Sequence, residues 1–109
     1  MSLSRFKLVF FCPTPHTRAI LDHLFDTFPT QVGAIGNYTR CAFLSRGTGQ
    51  FQPGTDANPT IGAVGTLEHV EEDRVEVIVF DRMRDVVQEL KKVHPYEEVA
   101  YDVYKLEDF

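Results

Sequence analysis

Arg74 to Leu106 reads RVEVIVFDRMRDVVQELKKVHPYEEVAYDVYKL, and its change of period decides the fold. Val75, Val77 and Val79 alternate with Glu76, Ile78 and Phe80, the period of two expected of a strand. From Met83 the spacing changes. Met83, Val86, Val87, Leu90 and Val93 recur at helical intervals, so one apolar stripe faces a core. Asp81 is placed to cap this helix. Pro95 forbids its continuation and holds His94 extended. Val99, Tyr101 and Val103 then share one face of a last strand, Val99 to Leu106. A strand, a helix and a strand in succession form a right-handed crossover with the helix against one face of a sheet.

The first half of the chain repeats the pattern. Arg5 to Cys12 reads as a strand, with Phe6, Leu8, Phe10 and Cys12 on one face and Lys7, Val9 and Phe11 on the other. Residues 13–29, PTPHTRAILDHLFDTFP, read as a helix with Thr14 at its N-cap and Pro15 at its first position. Ile20, Leu21, Leu24, Phe25 and Phe28 make its stripe. Tyr38 to Arg46 alternates as a second strand. Val64 to Val70 reads as a short additional strand, and Glu71 to Asp73, EED, as a polar turn before the strong strand Arg74 to Phe80. The order is an α+β, ferredoxin-like βαββαβ sandwich, an antiparallel sheet with two helices on one face, in one domain spanning residues 1–109. Val9, Phe11, Ile78 and Phe80 fall on the other face. Together they predict an exposed apolar patch through which the chain self-associates.

Composition narrows the function. The 109 residues carry 11 Lys and Arg against 16 Asp and Glu, a formal charge of −5. The basic residues are scattered, with Lys91 and Lys92 the one adjacent pair, so no nucleic acid partner is expected. No apolar run reaches the roughly 20 residues of a membrane span, and LVFF near the start is too short for a signal peptide, which predicts a cytoplasmic protein. Cys12 and Cys41 lack metal-site spacing and, at about 10 Å across two strand spacings, are too far apart for a disulfide; they read as small core residues.

Two stretches hold candidate chemistry. HPYEEV offers His94, Tyr96, Glu97 and Glu98. A divalent metal ion needs three or four converging ligands, and His94 with Glu97 would need a third such as His69 or His16. Glu97 and Glu98, adjacent on extended chain, point opposite ways. The structural alternative is a helix-to-strand junction, with the imidazole at the helix C-terminus and the Tyr96 ring closing the joint. His16 and His23, seven apart, do not chelate as an i, i+4 pair. All seven glycines lie between Gly33 and Gly65, five of them from Gly47 onward. Gly47 and Gly49 beside Arg46 suit an anion-binding loop, although no Walker or dinucleotide fingerprint occurs. A hairpin with bulges explains the same glycines.

The stretch GAIGNYTRCAFLSRGTGQFQPGTDANPTIGAVGTLEHVEEDRVEVIVF (33–80) followed by HPYEEVAYDVYKL (94–106) resembles the inserted domain of the NGG-interacting-factor-three-like, or YqfO-like, family. The resemblance implies a PII-like, CutA-like domain and a homo-oligomer, a trimer above all. Full-length members carry a two-metal site in flanking halves that this chain does not contain, so the chain resembles a free-standing copy of the insert. The expectation is an oligomeric binding or regulatory module. It would take a small ligand, an anion or a metal ion at subunit clefts, with His94, Tyr96, Glu97, Arg46, Gly47 and Gly49 at the rim. The alternatives are a metal-dependent hydrolase built at an interface from His94, Glu97 and His69, and a purely structural partner in an assembly.

Overall fold

A computed structural model describes residues 4–109. Strand β1 (Arg5–Pro13) leads through a single 3-10 turn (Thr14–His16) into helix α1 (Thr17–Thr27). Strand β2 (Phe43–Phe51) and strand β3 (Glu68–Phe80) follow, then helix α2 (Met83–Val93) and strand β4 (Tyr101–Lys105). The sheet order is β2-β3-β1-β4, every neighbouring pair antiparallel. This is the expected ferredoxin-like arrangement.

The pairing register assigns each side chain to a face. Leu8 lies opposite Val77 and Phe10 opposite Val75. These side chains, with Cys12 and Val79, meet Ile20, Leu24 and Phe28 of the first helical segment and Val86 and Leu90 of α2 in one buried cluster. Each such side chain contributes roughly 1.5–3 kcal/mol when fully removed from water. Both helices therefore cover one face.

The turn expected at Glu71 to Asp73 is instead the middle of β3. Its backbone is paired on both sides, with Cys12 and Pro13 of β1 and with Arg46, Gly47 and Thr48 of β2. The acidic side chains are accommodated one by one. Asp73 is buried and accepts a 2.6 Å hydrogen bond from the Thr17 hydroxyl and a 3.2 Å bond from Arg46 Nε. Thr17 spends its proton on Asp73, so the Cys12 thiol, 3.2 Å away, is the donor in their contact. Burial, with Asp73 and Glu72 close by, pushes that thiol's pKa up, against the opposing Thr17 hydrogen bond.

Three further expectations change. The second strand starts at Phe43 and continues to Phe51, so Gly47 and Gly49 are strand residues. Neither Thr14 nor Asp81 caps a helix. Thr14 belongs to the 3-10 turn, and α1 begins at Thr17 after His16. Asp81 and Arg82 both take left-handed backbone, φ 51° and 44°, which moves the cap position of α2 to Arg82. Finally, Val9 and Ile78 are not an exposed patch. They are 1% and 8% exposed, and charged neighbours interleave with them: Arg74 lies over the Phe11 ring at 5.8 Å and pairs with Glu76. Exposed apolar side chains do occur on the edge strands, Phe43 and Leu44 on β2 and Val103 and Tyr104 on β4.

Asp73→Ala is expected to lower the unfolding free energy by about 1–3 kcal/mol, because it removes the acceptor of the buried Thr17 hydroxyl's proton. Arg46→Ala, at a side chain that is 65% exposed, should change it by less than about 1 kcal/mol. Urea unfolding of the two variants checks the order.

Candidate functional site

A strand of 13 residues extends about 43 Å, whereas a helix of 11 residues covers about 16 Å. The hairpin of β2 and β3 therefore outruns the helical layer. At its outer end the chain leaves β2, runs through residues 52–67 and returns to β3. Gly62 and Gly65 take φ of 89° and 79°, the left-handed backbone this return needs. Gly65 N–H closes it on the Pro53 carbonyl at 2.9 Å.

The returning loop docks on the segment after α2. Asn58 N–H donates to Glu97 Oε1 at 2.8 Å, and the Thr60 hydroxyl donates to the Pro95 carbonyl at 2.8 Å. Between them lies a cleft of about 360 Å³ on the helix-free face. Phe11, Phe51, Pro53, Ile61 and Tyr96 supply its apolar wall, and Glu72, Glu97 and Glu98 supply carboxylates. The two stretches that the sequence singles out thus form one site.

Tyr96 is the pivot of the cleft. Its ring meets Phe51 edge-on, with centroids 5.8 Å apart, and its hydroxyl donates to Glu72 Oε2 at 3.2 Å. Burial, then the Glu72 charge and hydrogen bond, push the phenol pKa up to about 12. Glu72 reaches Tyr96 by lying across Gly49. A Cβ on Gly49 would fall on the Glu72 carboxylate, so the absence of a side chain there makes room for it.

His94 lies beneath the cleft and is buried. Tyr96 N–H donates to its Nδ1 at 3.1 Å, which leaves the proton of the neutral ring on Nε2, donating to the Phe11 carbonyl at 2.7 Å. Both ring nitrogens are occupied: Nε2 pins the α2–β4 connection to β1, and Nδ1 holds the backbone of that connection at Tyr96. Burial lowers the imidazole pKa, with His16 acting the same way and the Phe11 carbonyl opposing.

The remaining candidates separate. Tyr96 and Glu97 line the cleft, and Gly49 shapes it through Glu72. Gly47 pairs opposite Glu72 but does not line it, and Arg46 lies on the other face, bound to Asp73. His69 is on that other face as well, 3.0 Å from Gln50 Oε1. The structure does not bring His94, Glu97 and His69 together within one chain. Among the described residues no group of three or more His, Cys, Asp or Glu side chains is placed to hold a metal ion. Glu72, Phe11, Phe51 and Ile61 are cleft residues that the sequence reading misses. The alternation that continues from Arg74 back to Glu68 is the signal that places Glu72 on the cleft face.

No protein-family model matches the chain. It is 46% identical over 104 residues to a Halalkalibacterium halodurans protein named GTP cyclohydrolase 1 type 2 homolog, an alignment that takes in 94% of this chain and 27% of that protein. Among solved structures, a Bacillus cereus protein related to NIF3 superposes with a TM-score of 0.81 at 39% identity, over 99% of this chain and 27% of that one. The divalent ion tolerance protein CutA1 of Ehrlichia chaffeensis shares the fold, with a TM-score of 0.69 at 12% identity, over 100% of this chain and 87% of that one. The chain spans about a quarter of the length of the curated relative it matches.

His94 should resonate as a neutral Nε2–H imidazole at pH 6.5 in nitrogen-resolved NMR. Its folded pKa lies below the ordinary value of about 6.5, so the unfolded chain binds the proton first and stability falls as pH drops through that value. His94→Ala should cost about 1–3 kcal/mol and remove that part of the pH dependence.

Proposed function

We propose, from the premise that the chain is a homologue of the CutA-like segment of NIF3-related proteins, that it is a binding and regulatory module whose small-molecule ligand occupies the cleft between the 52–67 loop and the Tyr96–Glu98 segment. One observation carries this reading: two hydrogen bonds hold the loop against Pro95 and Glu97 and leave an apolar, partly open cleft between them. At about 360 Å³ the cleft falls within the range of small-molecule sites. Its wall is aromatic and aliphatic, with a few converging polar groups, the composition that recognition requires. Occupancy would bear directly on the order of the loop, because Glu97 both lines the cleft and anchors Asn58. The name GTP cyclohydrolase 1 type 2 homolog belongs to proteins about three and a half times the chain's length, and the proposed role concerns the cleft alone.

The module is proposed to act as a homo-oligomer, a trimer above all. Support comes from the two edge strands, whose outer backbone lacks a partner among the described residues. They present Phe43, 65% exposed, and Tyr104, 51% exposed. Edge strands with exposed apolar side chains are ready to pair with another copy.

Protein-detected NMR against a fragment library should move the amide signals of Phe51, Ile61, Tyr96 and Ala100 ahead of those of α1 and α2. Hits scattered over the surface, or none, would overturn ligand binding at this cleft. Light scattering at micromolar concentration should return three times the chain mass, and Phe43→Asp should shift it toward the monomer without unfolding the protein. A monomeric wild-type chain would sink the assembly reading.

A further inference from the structure

The charge of the cleft sets the chemical class of its ligand. No Lys, Arg or His is among the side chains lining it, whereas Glu72, Glu97 and Glu98 all are. Cations share that face outside the cleft lining: Arg74 lies over the Phe11 ring and is paired with Glu76, and Lys7 lies farther along β1, opposite Ile78. Each carboxylate keeps acceptor capacity in hand. Glu72 receives one hydrogen bond from Tyr96 through Oε2, and Glu97 receives one from Asn58 through Oε1, while a carboxylate has about four lone-pair sites. An anion entering here meets three like charges and no compensating donor of positive charge. A bare metal ion finds no convergent ligand set among the described residues, and it would leave the walls of Phe11, Phe51, Pro53 and Ile61 without a partner.

An organic cation satisfies both halves of the site. Its apolar body fills the wall. Its positive end meets Glu72 or Glu98 and the faces of Tyr96 and Phe51, where a cation is attracted to the ring quadrupole. We infer that the cleft recognises a small organic cation, an amidinium or ammonium group carried on an aromatic or aliphatic body. The inference rests on the reading of the cleft as a ligand site and goes on to name what that ligand is.

Three probes of nearly equal shape separate the two claims: benzamidine, benzamide and benzoate, each titrated at neutral pH and low salt while the cleft amides are followed by NMR. Benzamidine should bind at least about fivefold more tightly than benzamide, the scale of one partly exposed ion pair, with benzoate weakest. Glu72→Gln should weaken benzamidine severalfold while leaving benzamide within about twofold, and Glu98→Gln provides the same comparison should the first variant fold poorly. Equal affinities for the three, or benzoate binding best, overturn the cation and leave the cleft standing as a site. Binding of other fragments at the cleft with none of these three also overturns it. Silence of the cleft amides toward these probes and toward the whole fragment library removes the ligand site itself.

Discussion

The unbroken antiparallel pairing of β1 with β3 is the constraint on which the rest of the structure depends. Nine consecutive residues of β1 are matched, from Arg5 opposite Phe80 to Pro13 opposite Glu72. Side chains alternate with a period of two, so a slip of one residue would turn Leu8, Phe10, Val75 and Val77 away from the helices. Burial of those four therefore fixes the register. The same register decides what happens farther along β3, where hydrophobicity has run out. It places Asp73 on the helix face, against Thr17, and Glu72 on the opposite face, beneath Tyr96. Two adjacent acids acquire unrelated tasks because one strand carries them both.

Length mismatch then creates the site. Two helices of 11 residues cannot cover a strand of 13, and the outer hairpin extends past them, giving the molecule a longest dimension of 50 Å. The return loop lies along this uncovered stretch and ties down at Pro95 and Glu97. His94 supplies the fixed end of the arrangement. By bonding the Phe11 carbonyl it sets the height of the α2–β4 connection above β1, and by accepting from Tyr96 N–H it orients the residue that walls the cleft.

The architecture is legible in the sequence because it rests on periodicity. The stripe from Ile20 to Phe28 and the alternation from Val75 to Val79 each have one solution, and together they give the element order and the sheet. What the sequence hides depends on contacts made between distant segments. The EED run carries the charge of a turn, and only the flanking β1 and β2 partners, with Thr17 and Arg46 to meet Asp73, make it a strand. Gly47 and Gly49 have the composition of a loop, yet Gly49 is needed in a strand so that Glu72 can cross it. Val9 and Ile78 fall on the face expected to be open, yet both are buried there, with Glu76 and Lys7 as their partners in the β1–β3 register, which alternation alone does not reveal. The joining of the glycine-rich segment to HPYEE is visible only as two suspicious stretches, since a contact such as Asn58 to Glu97 leaves no local trace.

Residue type is the weakest guide to chemistry here. His94 has the side chain most often used for metals and proton transfer, yet its two nitrogens close two backbone hydrogen bonds, and a ligand would have to break one of them to use it. Glu97, by contrast, is exposed and anchors the loop with one of its two oxygens. A ligand that drew this carboxylate fully toward itself would release Asn58, whereas one that used only the remaining lone pairs would leave the loop in place. The proposed site thus couples occupancy to loop order through a single shared acceptor. The sign of that coupling is set by the ligand's geometry, and Thr60 on the Pro95 carbonyl keeps the loop's second tether independent of it.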